Sequence, residues 1–185
     1  SGLIVAGKSL AGLQQMGELF KKRTLKKYYL CIVKGRITEP AHIRGYLVKD
    51  EKTNRVSLSK GGFSKDAKGL PIETEYVPIA WNEEMTLLKV HLITGRTHQI
   101  RAHLSSTGHP IIGDSKYGNP KVNSIFRKKY ALKYQLLHAW KMQFPKREDA
   151  LAKVSEKELT APLPEGFTTI IKGEGLEWEP GIQEG

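Results

Sequence analysis

Hydrophobic and polar positions alternate with two different periods along this chain, and the changes of period mark its elements. Residues 3–6 form a short apolar run ending at Gly7, which predicts a buried strand. Ser9 is placed to cap a helix carrying Leu10, Leu13, Leu19 and Phe20 at helical spacing, and Lys21, Lys22 and Arg23 suit its negative end. Gly12 and Gly17 weaken that helix without breaking it. Residues 28–33 are β-branched and aromatic and close at Gly35, which predicts a strand. Residues 46–48 and 55–59 flank a polar turn at 50–54, predicting a hairpin, and 61–62 with 65–69 read as basic, glycine-rich loop. Residues 72–81 and 85–92 alternate around Asn82, Glu83 and Glu84, a second hairpin in which Pro78 calls for an edge or a bulge.

From Thr97 the period lengthens. Thr97 is placed to cap a short helix through His103 or Leu104, which Gly108 and Pro110 terminate. Residues 119–133 are basic and poorly periodic and read as a surface excursion, 136–144 as a strand, and 160–164 as the approach to a last short helix or turn. The order predicts one α+β domain on a mixed, largely antiparallel sheet with flanking helices over residues 1–172. An acidic, flexible tail is expected over 173–185.

Charge sharpens this picture. The 185 residues carry 30 Lys and Arg against 19 Asp and Glu, a net +11. Residues 173–185 hold four of those acids and no Lys or Arg, so the body before them carries 30 cations against 15 acids, or +15. A basic body of this kind attracts polyanions, nucleic acid first. A membrane-surface protein would need a basic amphipathic helix of useful length, and none is visible. One cysteine, Cys31, excludes a disulfide framework and a multi-cysteine zinc site and fits a reducing, cytoplasmic setting.

The densest chemistry lies in Thr94-Gly95-Arg96-Thr97-His98-Gln99-Ile100-Arg101-Ala102-His103-Leu104 and in Gly108-His109-Pro110-Ile111-Ile112-Gly113-Asp114-Ser115-Lys116-Tyr117-Gly118. The first places Gly, Arg, Thr and His where a strand turns into a helix, an anion-binding arrangement of free N–H groups, dipole and arginine. Arg96, Ile100 and His103 share a helical face at i, i+4, i+7 spacing, with Arg101 on another side. One arginine could meet a phosphate while the other pairs with a carboxylate in a pocket. His98 and His103 would project about 140° apart on a helix and cannot form a two-histidine metal face, so no metal is expected. No nucleophile elbow, Walker loop or dinucleotide fingerprint is present.

These two segments resemble the signature of the RluA-type pseudouridine synthases over more than twenty positions. Lys27-Tyr28-Tyr29-Leu30-Cys31-Ile32-Val33-Lys34-Gly35 resembles that family's Lys-x-Tyr strand, and Glu73-Thr74-Glu75-Tyr76 its Thr-x-aromatic strand. Leu137-His138-Ala139 and Ala161-Pro162-Leu163-Pro164 resemble its late elements. The family's catalytic motif is His-Arg-Leu-Asp, two residues, then Thr-Ser-Gly-Leu. Ser1-Gly2-Leu3 aligns with its end, which implies a chain beginning just after its nucleophilic aspartate and inactive by itself.

The resemblance implies an RNA pseudouridine synthase, an isomerase without cofactor, with ribosomal RNA the first expected substrate and transfer RNA the second. The alternative is an inactive RNA-binding module on the same scaffold. A monomer is expected. It further implies that Arg101 pairs with the aspartate, that Tyr29 packs on the flipped base and helps remove the C5 proton, and that Ile100 gives the uracil apolar contact. Arg96 and Lys27 are expected at the RNA backbone or pocket wall. Thr97, His98, Gln99 and His138 are candidates for the binding site, the last three equally for buried hydrogen bonding. Asp114 reads as a residue that structures its loop.

Overall fold

Leu30, Cys31, Ile32 and Val33 are all fully buried, so this stretch is covered on both faces, and it forms the strand around which the protein is built. In the computed structural model, which describes residues 1–50, 55–59 and 69–178, that strand is β1 (Lys26–Lys34). The other strands are β2 (Ala41–Asp50), β3 (Arg55–Ser59), β4 (Leu70–Trp81), β5 (Met85–Leu92), β6 (Leu137–Gln143) and β7 (Glu158–Thr160). They form one seven-stranded sheet in the order β3-β2-β4-β5-β1-β6-β7. Every ladder is antiparallel. The sheet is largely antiparallel as expected, and among the described residues its parallel pairing is a single bridge from Gly2 to Ala139.

The two faces of β1 feed different layers. Leu30 and Ile32 pack with Trp140, with Phe126 of α3 (Pro120–Tyr130) and with Phe167, Ile170 and Ile171 of α4 (Glu165–Gly173). Cys31 and Val33 pack on the opposite face with Leu88, Val90 and with Ile100 and Leu104 of α2 (Gln99–Ser106). The alternation of β1 therefore puts α2 on one side of the sheet and α3 with α4 on the other. Both expected hairpins form, though the turn at 51–54 and the glycine-rich stretch at 60–68 lie outside the described residues. Pro78 sits at a register shift in the part of β4 that has β5 alone as a neighbour, so it is at once a bulge and a local edge.

Several expectations change. Residues 3–6 form no strand: past the pairing of Ser1 and Leu3 with Ala139 the chain leaves the sheet, and Ile4 is 91% exposed. An apolar run becomes a strand where a neighbour takes its N–H and C=O groups, and here only Ala139 does so. The first helix, α1 (Leu10–Lys22), is capped by Ser9 as expected. Its covered residues are Met16 and Leu19, however, while Leu10, Leu13 and Phe20 are exposed. The surface excursion at 119–133 is instead α3, with Asn119 accepting from the Lys121 and Val122 amides, Pro120 in its first turn and Phe126 buried. The packed body also runs past the expected boundary at residue 172: Leu176 is buried in the core and Trp178 meets Trp140 edge-on at 6.3 Å. Residues 179–185 lie outside the described residues.

Candidate functional site

Beyond Leu92 the chain must leave β5 and enter α2 within a few residues, and one buried amide organises the change. Gln99, 2% exposed, donates to the Glu73 carbonyl at 2.9 Å and the Thr74 hydroxyl at 3.0 Å. Its carbonyl oxygen accepts from the Thr94 hydroxyl at 2.8 Å and the Arg96 amide at 3.1 Å. The amide thus ties the turn to β4 with all four of its hydrogen-bonding positions satisfied. His98 follows as the residue before the helix, in the left-handed region at a φ of 55°, with no side-chain cap. Thr97 is exposed and is not the cap, because the helix begins one residue later than its position requires, at Gln99 with His98 as the cap residue. Arg96 therefore lies ahead of α2, and the expected face shared by Arg96, Ile100 and His103 does not exist. Ile100 and His103 turn into the core at 4% and 1% exposure, while Arg96 stays exposed on the loop.

This turn, the outer end of β1 and the approach to β6 enclose a cavity of about 390 Å³. Tyr29, Arg96, His98, Gln99, Ile100 and Arg101 all line it, together with Leu92, Gln135 and Leu137. Its size is that of a ligand site, apolar on one wall and cationic on the other. Tyr29 contributes its ring from β1, where it pairs with Val90 and Ala139, and its hydroxyl has no partner among the described residues. Burial raises the pKa of that phenol, so it stays protonated at neutral pH.

Arg101 enters the cavity wall already paired. Its Nε donates to Asp114 Oδ2 at 2.7 Å and its Nη2 to Asp114 Oδ1 at 2.8 Å. Asp114 Oδ1 also accepts the Lys116 amide at 2.8 Å and the Tyr117 amide at 2.9 Å, a side-chain turn of the kind expected of this loop. Burial works to raise the Asp114 carboxyl, but the bonds from Arg101 and the Tyr117 and Lys116 amides, with the Arg101 charge, outweigh it and hold it below the ordinary range. The Tyr117 ring lies 5.2 Å from the guanidinium, and its hydroxyl is 3.2 Å from His98 Nδ1. Burial lowers the pKa of His98, assisted by the Arg101 and Lys116 charges, which favours its neutral form. The loop itself is held by Gly113, at a φ of 83°, where a Cβ would lie 2.4 Å from the Tyr134 carbonyl oxygen. Asn123 of α3 accepts from the Gly113 amide and donates to the Asp114 carbonyl, both at 2.8 Å.

Three of the expected site residues stand apart from the cavity lining. Lys27 is buried behind the turn, its Nζ 5.5 Å from the Phe20 ring centroid and 3.4 Å from where a Gly95 Cβ would be. Burial, then the Arg23 charge, lowers its pKa. His138 is buried against Ser1 Oγ at 3.0 Å and the Ala161 carbonyl at 3.4 Å. Thr97 faces solvent. Conversely Leu92, Gln135, Leu137 and the supporting Tyr117 were not singled out; Leu137 and Tyr117 lay inside the motifs, but no rule of spacing marks them as lining or support. Among the described residues no group of three or more His, Cys, Asp and Glu is arranged to hold a metal ion, and no helix is long and apolar enough to cross a membrane.

Comparison with known proteins identifies relatives of the whole chain. The chain is similar to an uncharacterized RNA pseudouridine synthase of Helicobacter pylori, 31% identical over 93% of the chain and 58% of that protein. It is also similar to ribosomal large subunit pseudouridine synthase C of Vibrio parahaemolyticus (29%, covering 94% and 51%) and synthase D of Nitrosomonas europaea (30%, covering 93% and 47%). The chain thus spans about half the length of these curated relatives. Its fold matches human RNA Pseudouridylate Synthase Domain Containing 4 with a TM-score of 0.72 at 23% identity, covering 92% of this chain and 70% of that one. It matches the human Domain Containing 1 protein at 0.66 and 24%, covering 85% and 62%. The family described as RNA pseudouridylate synthase matches residues 1–106, which take in β1, the turn after β5 and α2 with Arg101. That match covers more than half of the chain, and the chain belongs to the RNA pseudouridylate synthase family, of the RluA type.

Proposed function

We propose that this chain provides the uridine-holding cleft of an RNA pseudouridine synthase acting on structured RNA in the cytoplasm, ribosomal RNA first and transfer RNA second. The observation that carries the reading is the convergence of Tyr29, from β1, with Arg96, Ile100 and Arg101, from the turn and start of α2, on one cavity. The reaction breaks the C1′–N1 bond of a uridine, turns the uracil and joins C5 to C1′; the C5 proton leaves and N1 regains one. Uridine and pseudouridine are isomers at one oxidation level, so the step needs no redox partner. The base has to leave its stack to reach such a cavity. Ile100 and the Tyr29 ring offer it an apolar slot, and the Tyr29 hydroxyl, protonated at rest, takes part in C5 proton removal by giving its own proton to water as it accepts the one from C5. Arg96, exposed on the rim, suits a backbone phosphate.

Among the residues lining the cavity there is no carboxylate. Asp114 is buried and committed to Arg101 and two amides, so it is not the nucleophile. The reading therefore has an aspartate delivered beside Arg101 from the family's His-Arg-Leu-Asp element, ahead of Ser1. Residues 1–185 are expected to bind structured RNA without isomerising it, and the chain extended through that element to release tritium from C5-labelled uridine. Binding without release by the extended chain would favour the RNA-binding module, and release by residues 1–185 alone would refute the delivered aspartate.

A further inference from the structure

The way Arg101 is held says more than that it is charged. A lone arginine on a helix samples many rotamers, and a guanidinium that must meet a small anion in one geometry loses that freedom on each encounter. Here the freedom is already gone. Nε and Nη2 form a fork on the Asp114 carboxylate, and the carboxylate cannot rotate away because Oδ1 takes three donors: Nη2 and the Lys116 and Tyr117 amides. Its side chain is wholly buried, and the Tyr117 ring flanks the guanidinium. The edge left over is Nη1, on a side chain that lines the cavity.

We propose that Asp114 is a positioning residue for pseudouridine formation: it clamps Arg101 from behind so that the free guanidinium edge meets the nucleophilic carboxylate in the cavity in one fixed geometry. The inference rests on the reading of the cavity as the uridine site. The cation then lies between two carboxylates, one permanent and one catalytic. The permanent one fixes the plane, and the catalytic one is aimed by it. The loop-forming role of Asp114 is separate, since both backbone amides bond to Oδ1 while Nε bonds to Oδ2.

That separation supplies the test. Asp114→Asn keeps an oxygen for the two amides and for Nη2, but turns an N–H toward the Arg101 Nε–H, donor against donor. Single-turnover tritium release at saturating RNA, RNA affinity and melting temperature are compared for the extended chain and its Asp114→Asn, Arg101→Met and doubly substituted forms. The expected result is a rate about 100-fold lower in Asp114→Asn, the scale of a misplaced catalytic group, with RNA affinity within about threefold of the parent. The double variant should be no slower than Arg101→Met, because the clamp then has nothing to hold. An Asp114→Asn rate near the parent's while Arg101→Met is inactive overturns the clamp and leaves the uridine site standing. A parent that binds RNA but releases no tritium overturns the uridine reading, and the clamp falls with it.

Should Asp114→Asn fail to fold, the unsubstituted chain still decides. The Arg101 Nε–H should be protected from exchange in nitrogen-detected NMR from neutral pH down below the ordinary carboxylate range. His98, Lys116 and Tyr117 also face this pair. Loss of protection at pH 4 or higher, about the ordinary aspartate value, overturns the clamp.

Discussion

Replacing Gln99 by leucine isolates the device that shapes the cavity's turn. Four hydrogen bonds disappear, to Glu73, Thr74, Thr94 and Arg96. At about 1 kcal/mol each the gross loss is about 4 kcal/mol. The partners are not all stranded. The Glu73 carbonyl still accepts the Thr94 amide at 3.3 Å, the Thr74 hydroxyl keeps His103 Nδ1 at 2.8 Å, and the Thr94 hydroxyl keeps the Glu73 amide at 2.8 Å. The Arg96 amide sits on an exposed loop where water can replace the lost oxygen. A leucine side chain of similar volume gains about 1 kcal/mol of apolar burial. The net cost is about 2–3 kcal/mol, or a fall of about 5–10 °C in melting temperature for a domain of this size. RNA affinity should fall with it, as residues 95–98 lose their anchor to β4. A melting temperature within about 2 °C of the parent would refute the claim that this amide fixes the turn. Gln99→Glu adds a check of sign. It keeps one oxygen but faces the Glu73 carbonyl with another, so the neutral acid is favoured in the fold and its pKa is raised. Its deficit should then shrink as pH falls and grow as pH rises through that raised value, measured by urea unfolding at several pH values.

His103 is buried with its Nε2 unpartnered, and burial pushes its pKa down to about 4 from 6.5. The unfolded chain binds the proton more readily, so stability should fall by about 3 kcal/mol as pH drops from 6.5 to 4, and His103→Gln should flatten that slope in urea titrations; an unchanged slope would count against it. RNA affinity should fall steeply with salt, and Arg96→Met should reduce the slope of log affinity against log salt by about one, whereas an unchanged slope would place Arg96 away from the phosphates.

What the sequence discloses of the fold divides along a physical line. β1 was legible because a strand covered on both faces reads as a continuous apolar run, and β4 with β5 because alternation survives even around Pro78. Caps were legible where the capping bond is local, as with Ser9 and its bond to the Gly12 amide at 3.1 Å. Helical spacing states which residues share a face and not which face is covered. Leu10, Leu13, Leu19 and Phe20 share helical spacing, yet of these Leu19 alone is buried, together with Met16. In α3 the five cations of residues 121–133 obscured the apolar spacing of Val122, Phe126 and Tyr130, although Asn119-Pro120 carried a helix-start signal all along.

The site divides differently. The segment dense in chemistry does line one cavity, but the geometry within it depends on where α2 starts. The helix starts at Gln99, with His98 as its cap residue, so Arg96 lies ahead of the helix on the rim, and the left-handed conformation of His98 has no marker in spacing alone. The partner of Arg101 is harder still. Asp114 lies 13 positions away, beyond the end of α2, and reaches the guanidinium only because Gly113 lets the loop press against the chain leading into β6. A carboxylate that structures its own turn and a carboxylate that clamps an arginine look identical in sequence. Here one side chain does both, with the turn on one oxygen and the arginine's Nε on the other. The two roles can therefore be separated by a single exchange of oxygen for nitrogen.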